Sequence, residues 1–127
     1  MNAYSSELQR IQEIYDVVLQ TQSQLLEIGM DKERFLNPVN AVDELIVEGI
    51  ENRVFRVEEE GGRMDDEAES FGFDRKAMSG LRNILAHDYG QIDREIIWNV
   101  LEKDFPALVE SCENYCASLG IELHKTR

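Results

Sequence analysis

The sequence is poor in residues that interrupt helices, and it has no pattern typical of strands. Only two of its 127 residues are proline, and no β-branched run alternates with a period of two. Proline breaks helices and period-two alternation marks strands, so both absences favour an all-α protein. No apolar run approaches the roughly 20 residues that cross a bilayer. The N-terminal residues also lack the basic start and apolar centre of a signal peptide. We therefore expect a cytoplasmic protein with no membrane partner.

Positive charge is also scarce. The chain has 13 Lys and Arg against 26 Asp and Glu, a formal net charge of -13. Such a field repels nucleic acid at long range. Any chemistry on RNA therefore requires a locally basic cleft or a short substrate. A basic protein partner is a second use of this charge, and solubility alone is a third.

Cysteine and histidine occur only twice each. Cys112 and Cys116 are four residues apart, which places them on one face of a helix among apolar neighbours. We interpret them as core thiols of a reducing compartment, because His124 alone cannot complete a metal site with them. No Gly-rich phosphate loop or HExxH motif is present, so we expect no cofactor and no metal. The length fits a single domain over residues 1–127.

Hydrophobic periodicity predicts two helices in the first half of the chain. The first runs from Tyr4 to about Ile28 and stops at Gly29. Asn37 before Pro38 predicts the N-cap and first position of the second helix. The acidic stretch "VEEEGGRMDDEAES" follows, and we interpret residues 58–70 as a solvated loop.

Three further helices are predicted in the second half, which makes the fold an antiparallel four- to five-helix bundle. Asp74 caps the third, and Gly80 inside it indicates close approach of another helix, either of this chain or of a second chain. Asp93 caps the fourth, and Asp104 ahead of Pro106 opens the fifth. The fifth helix ends near residue 120, and the tail "IELHKTR" is expected to fray. Trp98, in the fourth helix, is expected to anchor the core or an interface.

The stretch "LRNILAHDY", residues 81–89, contains five polar side chains that are candidates for catalysis or binding. Asn83 and His87 are four residues apart, so they share one helix face, and Arg82 is long enough to reach the same space. A histidine can act as general base or acid, and an arginine can hold a phosphate through two oxygens. Asp88 supplies a carboxylate that supports an imidazolium, and Tyr89 carries a phenol just beyond.

These residue types suit phosphodiester cleavage, in which the ribose 2′-hydroxyl is the nucleophile and no metal is required. One histidine and one arginine do not supply both a general base and a general acid, and a second copy of the chain would complete the site. A lone histidine at a helix end is more often structural or merely exposed, and that alternative stays open. Arg53 and Arg56 either add charge to the same cleft or lie on a solvated face.

The motif R-x-x-x-x-H-x-Y, formed by Arg82, His87 and Tyr89, resembles the HepT-like branch of the HEPN superfamily. The resemblance extends over "KAMSGLRNILAHDYGQIDREIIWNVLEKDFPALVE", which includes the "AHDY" turn and the "DFPAL" start of the last helix. This similarity implies a homodimeric HEPN-like bundle, with higher oligomers open, whose arginines and histidines line a cleft at the dimer interface.

The same resemblance implies a metal-independent endoribonuclease, the toxin of a type VII toxin–antitoxin pair. Arg82 and His87 would be catalytic, and Asn83 would orient the phosphate or His87, with Asp88 in support. The partner implied is an MntA-like nucleotidyltransferase antitoxin that adds AMP to Tyr89. The alternative is a non-catalytic accessory subunit of a small nucleotidyltransferase, which the net charge of -13 favours. A structural bundle with an accidental motif is the third interpretation.

Overall fold

The computed structural model describes residues 3–87 and 92–126, and every regular element among them is helical. The α-helices are α1 (Ala3–Glu27), α2 (Lys32–Leu36), α3 (Ala41–Gly62), α4 (Arg75–His87), α5 (Arg94–Asn99) and α6 (Phe105–Ser118). A 3₁₀ helix (Asp66–Phe71) lies between α3 and α4, and a π-helical turn (Val100–Asp104) joins α5 to α6. None of these described helices combines the length and apolar character that a membrane crossing requires. The prediction of an all-α fold is confirmed for these residues.

The core forms where α1 packs against α3 and α6. The predicted apolar stripe of α1 is buried at Ile11, Tyr15 and Val18, and these residues share one cluster with Val54 of α3 and Phe105 of α6. The helix ends at Glu27, and Gly29 follows with a φ of 65°, as the sequence predicted. Glycine adopts this left-handed conformation at little cost, so it lets the chain turn away from α1.

The start of the second predicted helix was placed too early. Asn37 is the C-cap of the short helix α2, which Asp31 begins by accepting a hydrogen bond from the Arg34 backbone at 2.8 Å. The long helix α3 starts after Asn40, whose side-chain oxygen accepts from the Asp43 backbone at 2.8 Å. Asn37 and Asn40 lie on either side of Pro38, and only Asn40 caps the first turn of the long helix.

The prediction of a solvated loop over residues 58–70 was wrong. The helix α3 continues to Gly62, and the 3₁₀ helix takes up residues 66–71. From Val54 into this acidic stretch, the residues at spacings of three and four are buried: Val54, Val57, Gly61, Met64 and Ala68. This spacing is a helical stripe that the intervening acidic residues concealed, because the composition of the segment was weighed above its periodicity.

The second half of the chain is more continuous than predicted. Asp93 caps α5 as expected, through a 2.9 Å bond from the Glu95 backbone, but α5, the π-helical turn and α6 follow one another without a break. Asp104 is itself helical and makes no capping hydrogen bond, so it does not open a separate helix. Pro106 is the second residue of α6, directly after the π-helical turn, and it supplies no backbone N–H to the helix there.

The tail after α6 lies against α1, contrary to the expectation that it frays. The Gln12 side chain donates to the backbone oxygen of His124 at 2.8 Å, and the Thr126 backbone donates to Asp16 at 2.8 Å. Ile121 and Leu123 of the tail pack partly buried against the core. The tail is therefore fastened by both polar and apolar contacts.

Cysteine and tryptophan lie where the sequence predicted. Cys112 and Cys116 are free and buried, and burial raises the pKa of both thiols. The half-buried Trp98 ring packs against Phe35 of α2, with ring centroids 5.6 Å apart, while its indole N–H donates to Glu102 at 2.9 Å. Trp98 thus anchors α2 to α5 within this chain.

Candidate active site

The helix α4 carries the motif and lies unusually close to α3. Asp74 caps it as predicted, accepting from the Ala77 backbone at 3.0 Å. A Cβ atom added at Gly62 would lie 2.4 Å from the hydroxyl oxygen of Ser79, and one at Gly61 would lie 2.1 Å from the end of Met78. The neighbour at Gly61 is the flexible end of a side chain, whereas at Gly62 it includes the Ser79 backbone at 3.2 Å, so Gly62 is the position that limits how closely the motif helix approaches α3.

Arg82 is held on three sides. Its Nε and Nη2 atoms donate to Oε1 of Glu59 at 3.4 and 3.2 Å. Its Nη1 atom donates to the side-chain oxygen of Asn83 at 3.3 Å, and its guanidinium carbon lies 5.4 Å from the centre of the Phe55 ring. An arginine stacked on an aromatic ring and bonded along one edge is restricted to a narrow set of positions.

A second arginine reaches the same carboxylate. Arg63 Nη2 lies 3.4 Å from the same Oε1 atom of Glu59 that Arg82 contacts. The residues around this point enclose a cavity of about 260 Å³, lined by Glu58, Glu59, Gly62, Arg63, Ser79, Arg82 and Asn83. Two cations and an amide thus converge on a small concave surface of a strongly acidic protein.

The other predicted site residues are placed less tightly. Asn83 and His87 are both exposed, and His87 is the last residue of α4. Asp88 and Tyr89 lie outside the described residues, so their predicted roles stay predictions. The structure thus brings Arg82 and Asn83 into contact and puts His87 four residues beyond Asn83 on the same helix.

Arg53 and Arg56 do not join this cavity. Arg53 donates to Gln24 and, at 3.4 Å, to the hydroxyl of Thr21, and Arg56 pairs with Glu13 at 2.5 Å. All three partners belong to α1. These arginines therefore fasten α3 to α1 and are neither site cations nor members of a purely solvated face.

Three residues of the site were not predicted: Glu59 and Arg63, which line the cavity, and Phe55, which packs against Arg82. They follow one another at intervals of four, the spacing that puts side chains on one face of a helix. This spacing is a signal in the sequence, but it crosses the stretch that was predicted to be a loop.

A larger groove lies beside the motif, between α4 and the α5–α6 segment. It has a volume of about 510 Å³, and its apolar walls include Ile84 and Ile96, which are 44 % and 50 % exposed. Gly80 also lines it, and no described residue comes within 4 Å of a Cβ atom built there. Among the described residues, no other helix therefore approaches Gly80, and the second-chain alternative stays a prediction.

The groove also contains a buried carboxyl. Glu58 is only 3 % exposed, and burial, with the nearby Asp104 adding repulsion, raises its pKa to about 8. Asp104 lines the same groove, and desolvation raises its pKa too. In the part of the chain that the structure describes, no cluster of three or more His, Cys, Asp and Glu side chains forms a metal-type site.

One protein family accounts for most of the chain. The family described as Ribonuclease HepT-like matches residues 7–115, a span that includes Arg82, Asn83 and His87 as well as the cavity residues of α3. No curated protein and no solved structure gives a match. Because the matched span covers well over half of the sequence, the chain belongs to the Ribonuclease HepT-like family of the HEPN superfamily.

Proposed function

We propose that the protein is a metal-independent endoribonuclease, the toxin of a type VII toxin–antitoxin pair. The observation that carries the proposal is the ordered guanidinium of Arg82, in contact with Asn83, on the helix that ends at the exposed His87. Membership of a family of HepT-like ribonucleases supports the reaction class.

The reaction follows from the residue types. His87 removes the proton of a ribose 2′-hydroxyl, and the 2′-oxygen attacks the adjacent phosphorus. A bond from phosphorus to the 2′-oxygen forms while the bond to the 5′-oxygen breaks, which leaves a 2′,3′-cyclic phosphate and a 5′-hydroxyl. Arg82 binds the phosphate oxygens and stabilises the charge that grows on them.

The leaving 5′-oxygen needs a proton, and each chain has one histidine in the motif. A second copy facing the first supplies another His87, so that one acts as base and the other as acid. The exposure of Ile84 and Ile96 beside the motif, and the open space at Gly80, support a homodimer with α4 at its interface. Burying such side chains against a second copy removes apolar surface from water.

The partner we propose is an MntA-like nucleotidyltransferase that transfers AMP to Tyr89. Tyr89 lies two residues after His87, so a bulky anionic adduct there would block the site and repel RNA phosphates. Mass spectrometry of the chain after coexpression with the partner tests this step. An unmodified Tyr89 beside an active partner would refute it.

The catalytic assignment is tested by cleavage of a labelled RNA in the presence of EDTA. Arg82→Ala and His87→Ala are each expected to reduce the rate by at least about 100-fold, since general acid–base groups and charge-stabilising groups contribute that much. Arg56→Ala is the matched control, because Arg56 lies on α3 and pairs with α1 instead. Full activity in both motif variants would refute the assignment.

The second candidate is a non-catalytic accessory subunit of a nucleotidyltransferase. The net charge of -13 favours it, because a strongly acidic protein is a poor general binder of RNA. Titration with RNA at low salt separates the two functions. A ribonuclease binds the RNA, whereas an accessory subunit does not.

A further inference from the structure

Glu59 lies where an external anion would bind. Its Oε1 atom accepts two hydrogen bonds from Arg82, at 3.2 and 3.4 Å, and is 3.4 Å from Arg63 Nη2. The Nε and Nη2 edge that Arg82 turns toward this oxygen is one that arginines use to bind phosphate. We propose that Arg63 and Arg82 together bind an RNA backbone phosphate, and that Glu59 occupies this site in the free protein.

The contacts of Glu59 are weak enough to exchange. The side chain of Arg63 is 60 % exposed and that of Arg82 is 33 % exposed, while Glu59 is 24 % exposed. The Arg63–Glu59 pair is exposed and four residues apart, a kind of pair that adds little to stability. The Arg82–Glu59 contacts are half-buried but long, at 3.2 and 3.4 Å. A phosphodiester offers two non-bridging oxygens that share one negative charge, so it can contact both guanidinium groups in place of Glu59 Oε1.

Two contacts of Arg82 do not involve Glu59, so they can hold the guanidinium group after Glu59 is displaced. Asn83 accepts from Nη1 at 3.3 Å, and the Phe55 ring packs 5.4 Å from the guanidinium carbon. Arg63 needs no such support, because its side chain is 60 % exposed and can turn toward the phosphate when RNA binds. Arg63 stands outside the R-x-x-x-x-H motif, so it would be a further substrate-binding residue, and Glu59 a competitor for its site.

This inference takes the identity of the anion from the proposed function, and its test separates the two. The probe is a 12-nucleotide RNA with 2′-O-methyl groups, which binds but lacks the attacking hydroxyl. Fluorescence anisotropy gives its affinity over a series of salt concentrations, and an unmodified RNA of the same sequence gives kcat and KM.

Arg63→Ala is expected to weaken binding of the methylated RNA about tenfold, the loss typical of one charge-assisted contact. It is also expected to reduce the slope of log affinity against log salt by about 0.7, the value for one phosphate contact to a single strand. The fall in kcat/KM should lie mostly in KM. Arg63→Lys, which keeps the charge, should retain most of the affinity.

Glu59→Gln is expected to tighten binding several-fold. The amide oxygen still accepts from Arg82, but the negative charge that competes with phosphate is gone. Arg56→Ala, on the same helix, should match the unmodified protein. Circular dichroism of each variant confirms that the helices are intact.

Two outcomes overturn the inference: an Arg63→Ala variant with the affinity and salt slope of Arg56→Ala, or a Glu59→Gln variant that binds more weakly. A protein that cleaves RNA with no dependence on Arg63 refutes this phosphate site alone. A protein that binds the methylated RNA through Arg63 but cleaves nothing refutes the ribonuclease proposal alone.

Discussion

Glu58 is the residue whose surroundings conflict most with its chemistry. A carboxylate prefers water, yet Glu58 is 3 % exposed, and among the described residues no cation pairs with it. Burial therefore raises its pKa from 4.5 to about 8, and the charge of Asp104 adds to this rise. At neutral pH the side chain of the folded protein is mostly protonated, so it lies in the groove as a neutral hydrogen-bonding group.

This raised pKa makes stability depend on pH. Between pH 4.5 and about 8 the folded state keeps the Glu58 proton that the unfolded state releases, so the free energy of unfolding falls as pH rises. Replacing Glu58 with Gln removes the titration. The stability of Glu58→Gln relative to the unmodified protein should therefore increase from pH 5 to pH 8, by up to about 4 kcal/mol.

Urea denaturation at pH 5, 6.5 and 8 measures this difference. Glu44→Gln is the matched control, because Glu44 is an exposed carboxylate on the same helix. The same difference in stability at all three pH values would show that Glu58 is not protonated in the folded protein.

At the scale of the element, Gly62 of α3 sets the position of the motif helix. A Cβ atom at Gly62 would meet the Ser79 hydroxyl at 2.4 Å and the Ser79 backbone at 3.2 Å, so α4 would have to move. Gly62→Ala is expected to lower the free energy of unfolding by about 1 to 3 kcal/mol, as overpacking does. The displaced α4 should also reduce RNA cleavage.

The matched control for this prediction is Gly49→Ala, in the same helix. Nothing lies within 4 Å of a Cβ atom there, so alanine should raise stability by about 0.5 to 1 kcal/mol through its better helix propensity. Thermal unfolding followed by circular dichroism gives both values. Equal stability of the two variants would contradict the close packing of α3 and α4.

The helix boundaries differ in how well they could be predicted from the sequence. The stop at Gly29 and the caps at Asp74 and Asp93 were predictable, because a single residue type provides each signal. The continuation of α3 through "EEEGG" also has a local signal in its helical spacing, but the burial of Glu58 and the close approach at Gly61 do not, since they depend on contacts with distant residues. Local composition carries no record of such contacts.

The residues of the candidate site also fall into a predictable group and an unpredictable group. Arg82, Asn83 and His87 were found from their spacing within one helix, which is local information. Glu59 belongs to α3, 23 residues before Arg82, and Arg63 is the residue that caps the end of α3. Both join the site only because α3 and α4 pack together. The sequence could thus predict the motif but not the carboxylate that holds it.

At the scale of the whole molecule, the proposed dimer is the central prediction. Ile84→Asp puts a charge into the apolar groove beside the motif, so it should turn a dimer into a monomer and abolish cleavage without unfolding the chain. Sedimentation velocity measures the change. The control is Leu45→Asp, because Leu45 is also exposed but lies on α3. A monomer in the unmodified protein, active at full rate, would refute the shared site.

The two buried thiols give the molecule an internal reporter of opening. Cys112 and Cys116 are 0 % and 1 % exposed, and burial keeps their thiolate forms scarce in the folded chain. An alkylating reagent can therefore modify them only while α6 separates from α1. The rate of that modification measures how often the core opens, and no reporter residue has to be introduced into the chain. A bound partner or a second copy that stabilises the bundle would slow this rate in proportion.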